Sequence, residues 1–261
     1  MPNFGGQTLN DSDFLSYVSE RLSDLPRIQA VALGGSRAQG AERPDSDWDF
    51  AIYYRGAFDT HDVRNLGWEG EVSEIGGWGG GVFNGGAWLE LDGRNVDVHY
   101  RDFESIDHEM DEASDGRFRI EPLMFHLAGI PSYLVVAELA LGQVLRGDLP
   151  NPAYPPLLKE RAPQVWWDRA SHLFDYANRN YAARSQLAQC LGMVVQAACC
   201  AAHAVLAARG EWVTNEKSLL AKANLLELDQ ILTTARPTAA SLDEIVYLAR
   251  NLCLMKLTAT G

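Results

Sequence analysis

The chain has 261 residues, of which 47% are hydrophobic and 22% are charged. These proportions indicate an ordinary folded globular protein and exclude a disordered chain. The length allows one large domain or two domains of medium size. Lys and Arg total 22 against 35 Asp and Glu, which gives a formal net charge of −13. A negative charge of this size disfavours a nucleic acid bound through its phosphates and favours a neutral or cationic small partner.

The ends and the cysteines of the chain give an expectation for its compartment. The N-terminus lacks a basic region followed by an apolar core, and no segment approaches about 18 uninterrupted apolar residues. We therefore expect a cytoplasmic protein with no membrane partner. The four cysteines lie in Ala- and Leu-rich text without a CxxC pair, so we expect reduced core residues: Cys190, Cys199, Cys200 and Cys253.

The first third of the chain alternates helical and strand patterns. Apolar residues recur at helical spacing over 11–24, behind a possible Asp or Ser cap. Two apolar runs, RIQAVAL at 27–33 and WDFAIYY at 48–54, are typical of buried strands. The run of alternating residues at 87–100 is divided by Asp92-Gly93, a dipeptide that accepts the positive φ angles of a type I′ turn and so predicts a hairpin.

The remaining text divides the chain into two parts of different character. DFESIDHEMDEA at 102–113 predicts a polar helix, and QVLRG at 143–147 predicts one more strand. Beyond the prolines of LPNPAYPPL the pattern is helical from Leu157 to Leu257, with breaks at ARGEWVT and TARPTAA. We therefore expect an α/β domain with a mixed sheet at 1–150, followed by an all-α helical bundle at 151–261.

Two aspartates stand at the start of the second predicted strand. Because side chains alternate along a strand, Asp47 and Asp49 would share one face and Trp48 and Phe50 the other. On the later strand NVDVHY, Asp97 and His99 also share a face. If the two strands are neighbours, Asp97 completes a cluster of three carboxylates, which are hard ligands suited to Mg²⁺ or Mn²⁺.

The segment Gly34-Gly35-Ser36 follows the first predicted strand. Exposed N–H groups and the Ser36 hydroxyl could hold an anion at this turn, and Arg37 adds a cation. Neither a Walker motif nor G-x-G-x-x-G fits here, since Ala41 stands where a Walker lysine is required. Taken singly, these features also fit a simple turn, a capped strand end or a surface ion pair. Taken together, a phosphate cradle and a carboxylate cluster one strand apart indicate phosphoryl or nucleotidyl transfer.

These motifs resemble the signature of the nucleotidyltransferase superfamily of the polymerase beta type. The resemblance is carried by GGSRA, by DWD beginning eleven residues after Ser36, and by VDVHYRD. It covers the first 150 residues with specific motifs. The helical second half is similar only in general layout to the aminoglycoside and lincosamide nucleotidyltransferases.

The resemblance implies roles for individual residues. Asp47 and Asp49 would bind two Mg²⁺ ions, with Mn²⁺ as a possible substitute, and Asp97 would hold one ion and help to deprotonate the attacking hydroxyl. Ser36, with Gly35 and Arg37, would hold the β- and γ-phosphates of a nucleoside triphosphate.

Three further features carry weaker expectations. Lys217 is predicted in the first turn of a helix after a break, where a cation is unfavourable unless it binds an anion such as the triphosphate. Glu121 and Glu138 lie near apolar runs and either could act as an auxiliary general base. The Gly-rich segment 76–86 departs from the family pattern, and it fits either a lid over the substrate or an ordinary loop.

The sequence as a whole predicts a Mg²⁺-dependent nucleotidyltransferase. It would move a nucleoside monophosphate from a nucleoside triphosphate to a hydroxyl of a small acceptor and release pyrophosphate. The acidic chain favours a cationic acceptor such as an aminoglycoside-type antibiotic. Two alternatives remain open: a toxin-like transferase that modifies tRNA or protein, and a catalytically silent member that binds nucleotide as a regulator.

Overall fold

A computed structural model describes residues 8–79 and 81–259, which form two compact units. The first unit contains the described residues up to Asp111 together with Ser132–Ala153, and the second contains Glu112–Pro131 together with the described residues from Tyr154 onward. The segment 112–131 thus packs with the second unit, whereas the sequence prediction placed it in the first domain. The predicted division into domains 1–150 and 151–261 stays a prediction.

A six-stranded mixed sheet forms the framework of the first unit. Its strands are, in chain order, β1 (Ile28–Leu33), β2 (Trp48–Tyr54), β3 (Glu69–Val72), β4 (Gly86–Leu91), β5 (Arg94–Asp102) and β8 (Gln143–Arg146). The order across the sheet is β3-β4-β5-β2-β1-β8. Strands β2 and β5 run parallel, and the other neighbours are antiparallel. The predicted mixed sheet is confirmed.

The helices of the first unit are α1 (Asp11–Ser23), α2 (Gly35–Ala38), α3 (His61–Arg64), α4 (Phe103–Ser114), which runs on past Asp111, and α5 (Leu134–Leu141). Helix α1 begins after Asn10, whose side chain accepts a hydrogen bond from the Asp13 N–H at 3.0 Å. Its buried residues Phe14, Val18 and Leu22 pack on one face of the sheet, in a core that includes Trp48 and Val98. That face is therefore apolar, and the polar residues of the strands lie on the other.

The predicted hairpin is present and has the expected turn. Leu91 pairs with Arg94, and the two residues between them, Asp92 and Gly93, have φ angles of 51° and 70°. Both positive angles are those of a type I′ turn. The turn fixes the register of β5, and with it the position of Asp97.

The second unit is mainly helical. It contains α6 (Pro156–Tyr176), α7 (Leu187–Arg209), α8 (Leu219–Lys222), α9 (Glu227–Thr233) and α10 (Ala239–Thr258), with a π turn and a 3₁₀ turn at 177–184. The two-residue strands β6 (Ile120–Glu121) and β7 (Ile130–Pro131) pair with each other and add a small ladder that the sequence did not predict. The helical character of the C-terminal part is confirmed.

Helix α7 is central to the second unit. By length and composition alone it could cross a membrane, with a mean hydropathy of 1.8 in its most apolar window. However, 72% of that window is buried inside the protein, as in the core helix of a soluble protein. The four cysteines are free and buried, and burial raises the pKa of each thiol, to about 12 for Cys199. They are therefore thiols in the core, as predicted.

His203 on α7 predicts a pH dependence of stability. It is buried and stacks on Trp166 with ring centroids 4.2 Å apart. Burial lowers the pKa of His203 from 6.5 to about 3. Because the unfolded chain binds the proton more readily, the free energy of unfolding should fall as the pH drops below 6.5, by about 2 kcal/mol at pH 5.

A His203→Phe variant, which retains the stacked ring, should lose this component. We expect urea unfolding curves at pH 7.5 and pH 5 to differ less for the variant than for the wild type. The exposed His172→Gln variant is the control and should retain the wild-type dependence. An unchanged pH dependence in His203→Phe would show that acid destabilisation arises elsewhere.

Candidate active site

The core of the site is a pair of carboxylates on neighbouring strands. Asp49 is the second residue of β2 and lies directly beside Asp97 of the parallel strand β5. His99 follows two residues later on the same face. Each of the three side chains offers one ligand atom, and these atoms all lie within 4.8 Å of one another. The predicted meeting of Asp49 and Asp97 is therefore observed.

Gly35 lies against the Asp49 carboxylate. The Gly34 N–H donates a hydrogen bond to the Asp49 carbonyl at 2.7 Å, which holds the turn after β1 against β2. Gly35 has a φ of +61°, and a Cβ at this position would stand 1.8 Å from Asp49 Oδ2. Both the backbone angle and the close approach require glycine. The GGS motif is thus a packing element of the site.

Ser36 follows on the short helix α2. Its carbonyl accepts hydrogen bonds from the N–H groups of Gln39 and Ala41. Among the described residues its hydroxyl has no hydrogen-bond partner, and the residue is half-buried. Ser36 therefore directly follows the glycine that packs on the Asp49 carboxylate, with a hydroxyl left for a ligand.

Arg37 contacts the protein itself. Its guanidinium donates to the carbonyls of Ser46 and Asp47 at 2.7–3.2 Å and lies 4.1 Å from the centre of the Trp48 ring. These contacts fix the loop that enters β2. A nucleotide contact by Arg37 stays a prediction, and the observed geometry gives the side chain a structural role.

Asp47 stands outside the close group of ligand atoms in the described chain. Strand β2 begins at Trp48, one residue after Asp47, so strand alternation does not govern the Asp47 side chain. Its Oδ1 accepts a hydrogen bond from Asn95 Nδ2 at 3.1 Å. The prediction that Asp47 and Asp49 share a face required the strand to include residue 47, but β2 begins at Trp48. Metal binding by Asp47 stays a prediction.

A buried ion pair supports His99. Arg101, which is 1% exposed, donates through Nε and Nη2 to the two carboxylate oxygens of Glu138 on α5, at 2.5 and 2.7 Å. Arg101 Nη2 also lies 3.2 Å from His99 Nδ1. Both Glu138 oxygens are thus bound to Arg101, which leaves this carboxylate poorly placed to act as the auxiliary base that the sequence suggested.

The contact with Arg101 settles the protonation of His99. A guanidinium has only donors, so Nδ1 accepts this hydrogen bond and the proton of the neutral ring is on Nε2. Burial, with a smaller contribution from the Arg101 charge, lowers the pKa of His99 to about 4. His99 is therefore a neutral ring that accepts at Nδ1 and can donate through Nε2.

One family model matches the first part of the chain. Residues 17–76 match the family described as polymerase beta, nucleotidyltransferase. The matched segment contains Ser36, Asp47 and Asp49 and ends before Asp97.

The first part of the chain is therefore similar to nucleotidyltransferases of the polymerase beta type.

One solved structure that is similar to the chain is a nucleotidyltransferase-like protein from Exiguobacterium sibiricum. It is 12% identical, with a TM-score of 0.41 over 95% of this chain and 72% of that chain. No curated protein matches the chain. The match over residues 17–76 supports a transferase.

The matched family typically uses divalent metals, and the site has a donor set that fits one. Asp49 and Asp97 supply adjacent hard oxygen ligands, the kind that Mg²⁺ and Mn²⁺ prefer. His99 fits less well, because Nδ1 is engaged by Arg101 and Nε2 carries the proton. Asp49 and Asp97 would therefore hold the ion.

Two of the predicted site residues, Lys217 and Glu121, lie in the second unit. Lys217 stands in a turn two residues before α8, and its N–H donates to Asn215 Oδ1 at 3.0 Å. The expected place in a first helical turn was wrong, because this Asn215 turn precedes the helix. Glu121 on β6 bonds Arg119 at 3.2 Å, and its role as a base stays a prediction.

Sequence reasoning missed two residues of this site, Arg101 and Trp88, and it gave Glu138 a role other than the ion pair that is observed. The Arg101–Glu138 pair joins residues 37 positions apart, and no local pattern indicates it. Trp88 on β4 pairs in register with Asp97 and is 40% exposed, a placement that the predicted hairpin register could have shown.

Proposed function

We propose that this nucleotidyltransferase transfers a nucleoside monophosphate from a nucleoside triphosphate to a hydroxyl of a small, cationic acceptor. The observation that carries the proposal is the placement of Asp49 and Asp97 side by side, with Gly35 packed on Asp49. Nucleotidyl transfer depends on positioning the reactants and neutralising phosphate charge. Two carboxylates that can hold a metal ion, next to a glycine turn, fit both needs.

Each residue of the site has a proposed role in binding the nucleotide or the metal ions. The Ser36 hydroxyl, with Gly35 beside it, would hold the β- and γ-phosphates, and Asp49 and Asp97 would hold Mg²⁺, with two ions as the expected number and Mn²⁺ as a substitute. Asp47 would contribute to the second ion. When bound, the ions neutralise phosphate charge and make the acceptor hydroxyl more acidic.

The transfer step is a displacement at the α-phosphorus of the nucleoside triphosphate. The acceptor oxygen attacks the α-phosphorus, a P–O bond forms, and the bond to the bridging oxygen breaks so that pyrophosphate leaves with its electron pair. The hydroxyl proton goes to the Asp97 carboxylate, and from there to solvent. The Arg101–Glu138 pair would act at a distance by holding His99 beside these carboxylates.

Charge supports a cationic acceptor, with an aminoglycoside-type antibiotic as the leading class. The chain carries a net charge of −13, and an anionic field attracts a polyamine and repels a phosphate backbone. A cytoplasmic location and a role in antibiotic resistance belong to the same proposal. Lys217 is retained in it only as a candidate contact to the triphosphate.

The test is a panel of acceptors read by mass shift. Purified chain, Mg²⁺ and each nucleoside triphosphate in turn would be incubated with aminoglycosides, lincosamides, total tRNA or total protein. We expect a nucleotide adduct on an aminoglycoside and an equal yield of pyrophosphate, both formed at least about a hundredfold more slowly by Asp49→Asn. Label on tRNA or protein alone would overturn the acceptor class, and metal-dependent ATP binding without any transfer would favour the silent regulator.

A further inference from the structure

An exposed tryptophan stands beside the carboxylate pair. Trp88 on β4 pairs directly with Asp97 in the antiparallel ladder, so the two side chains lie on the same face of the sheet as Asp49. Trp88 is 40% exposed although burial of an indole ring is favourable. An exposed aromatic face therefore adjoins the site in which the reaction is proposed.

A second tryptophan fixes the position of the first. Trp78 stacks on Trp88 with ring centroids 4.9 Å apart and an angle of 19° between the planes. Trp78 occupies the space above Gly86, where a Cβ would come within 2.4 Å of the Trp78 ring. Phe83 stacks on Trp78 at 5.5 Å. The pair Trp78 and Trp88, called here the aromatic wall, is thus built on a glycine that leaves room for it.

The order of strands separates the aromatic wall from the phosphate turn. The GGS turn follows β1, Asp49 is on β2, Asp97 is on β5 and Trp88 is on β4. If the triphosphate lies at the turn and the reacting phosphorus at the carboxylates, the acceptor approaches from the opposite side. That side is the one on which the wall lies.

The charges around the wall are negative. Glu71 on β3 pairs with Trp88, and Glu69 pairs with Glu90, so all three glutamates share the face of the wall. All three are exposed. A positive group next to an indole face gains both cation–π attraction and attraction to carboxylates, whereas a phosphate gains neither.

We infer that Trp88, backed by Trp78, is the platform on which the acceptor binds. The acceptor presents a ring face to Trp88 and a positively charged group to the glutamates beside it. An aminosugar and an aromatic amine share this chemistry. The inference rests on the proposed function, because it takes the carboxylate pair as the place of transfer.

The test measures binding with defined probes. Calorimetric titration of the full chain with Mg²⁺ would use kanamycin as the aminosugar, tyramine as the aromatic amine and sucrose as an uncharged ring. The variants are Trp88→Ala, Trp88→Phe and, as a control, Tyr247→Ala, which removes a ring that is 64% exposed in the second unit. ATP binding is measured on each variant to show that the site is folded.

We expect Trp88→Ala to bind the cationic probe about tenfold more weakly than the wild type, and Trp88→Phe to bind it nearly as well. Tyr247→Ala should match the wild type, ATP binding should change less than about twofold in every variant, and sucrose should bind far more weakly than the cations. Tighter binding of kanamycin or of tyramine identifies which source of the shared chemistry the wall takes.

Three results would overturn the inference. They are equal affinity of Trp88→Ala and wild type for the probe, an equal loss for ATP and probe, which would place the nucleobase on Trp88, and no binding of either cationic probe by the wild type. Failure of the proposed function is seen separately, as absence of pyrophosphate release by the wild-type chain with every acceptor.

Discussion

Replacing Asp49 by asparagine is expected to lower nucleotidyl transfer by a hundredfold to a thousandfold, on the order of 3–4 kcal/mol of transition-state stabilisation. The amide keeps the size of the side chain and its fit under Gly35, but it removes one of the two adjacent negative charges. Steady-state pyrophosphate release at several Mg²⁺ concentrations measures the loss. Metal affinity should fall with it.

Stability should move in the other direction. Without added metal, the Asp49→Asn chain should unfold at the wild-type temperature or above it, because two neighbouring carboxylates repel each other. Asp45→Asn is the matched control, since Asp45 is an exposed residue of the loop before β2 and forms an ion pair with Arg43. Near-normal turnover in Asp49→Asn would remove the carboxylate pair from the mechanism.

Asp47→Asn tests, in the same assay, whether Asp47 binds a metal ion or serves mainly as the hydrogen-bond partner of Asn95. If Asp47 holds an ion, transfer should fall as it does for Asp49→Asn. If the contact with Asn95 is its main role, turnover should change little.

Replacing Glu138 by glutamine is expected to lower the free energy of unfolding by about 3–5 kcal/mol, because it leaves the Arg101 charge buried without its partner. Urea unfolding at neutral pH measures the change. The control is Glu121→Gln, whose partner Arg119 is half-exposed, so that about 1 kcal/mol or less should be lost.

A double replacement distinguishes loss of the pair from loss of packing. Arg101→Met together with Glu138→Leu should recover most of the stability, because both charges are then removed. Transfer should stay low in the double variant if the pair positions His99. A small loss in Glu138→Gln, equal to that of Glu121→Gln, would contradict the buried ion pair.

Local patterns were enough to predict the framework of the site. The turn at Asp92-Gly93 depends on dihedral angles that few other dipeptides accept, so the hairpin followed from two residues. Alternation along the strands then placed Asp97 and His99 on one face. The pairing of β2 with β5 was a condition in the sequence argument, and the structure supplies it.

Other parts of the site depend on contacts that the sequence does not display. Strand β3 reads Glu-Gly-Glu-Val and has no apolar alternation, so its place at the edge of the sheet had no signal. Arg101 is the last residue but one of β5, and its burial depends on Glu138 of a helix distant in sequence. The Gly-rich text was typical of a loop, although Gly86 in it makes space for Trp78.

Gly35 also limits how this chain can change. The Asp49 carboxylate fills the space that a side chain at position 35 would need, so substitutions at positions 35 and 49 are coupled. Any residue larger than glycine at 35 displaces the acid, and only a smaller residue at 49 would make room for it. A chain of this fold that acquired such an exchange would keep its sheet and its hairpin but lose the carboxylate on which transfer depends. A residue other than glycine at 35 would therefore reveal, from sequence alone, that the carboxylate has been displaced.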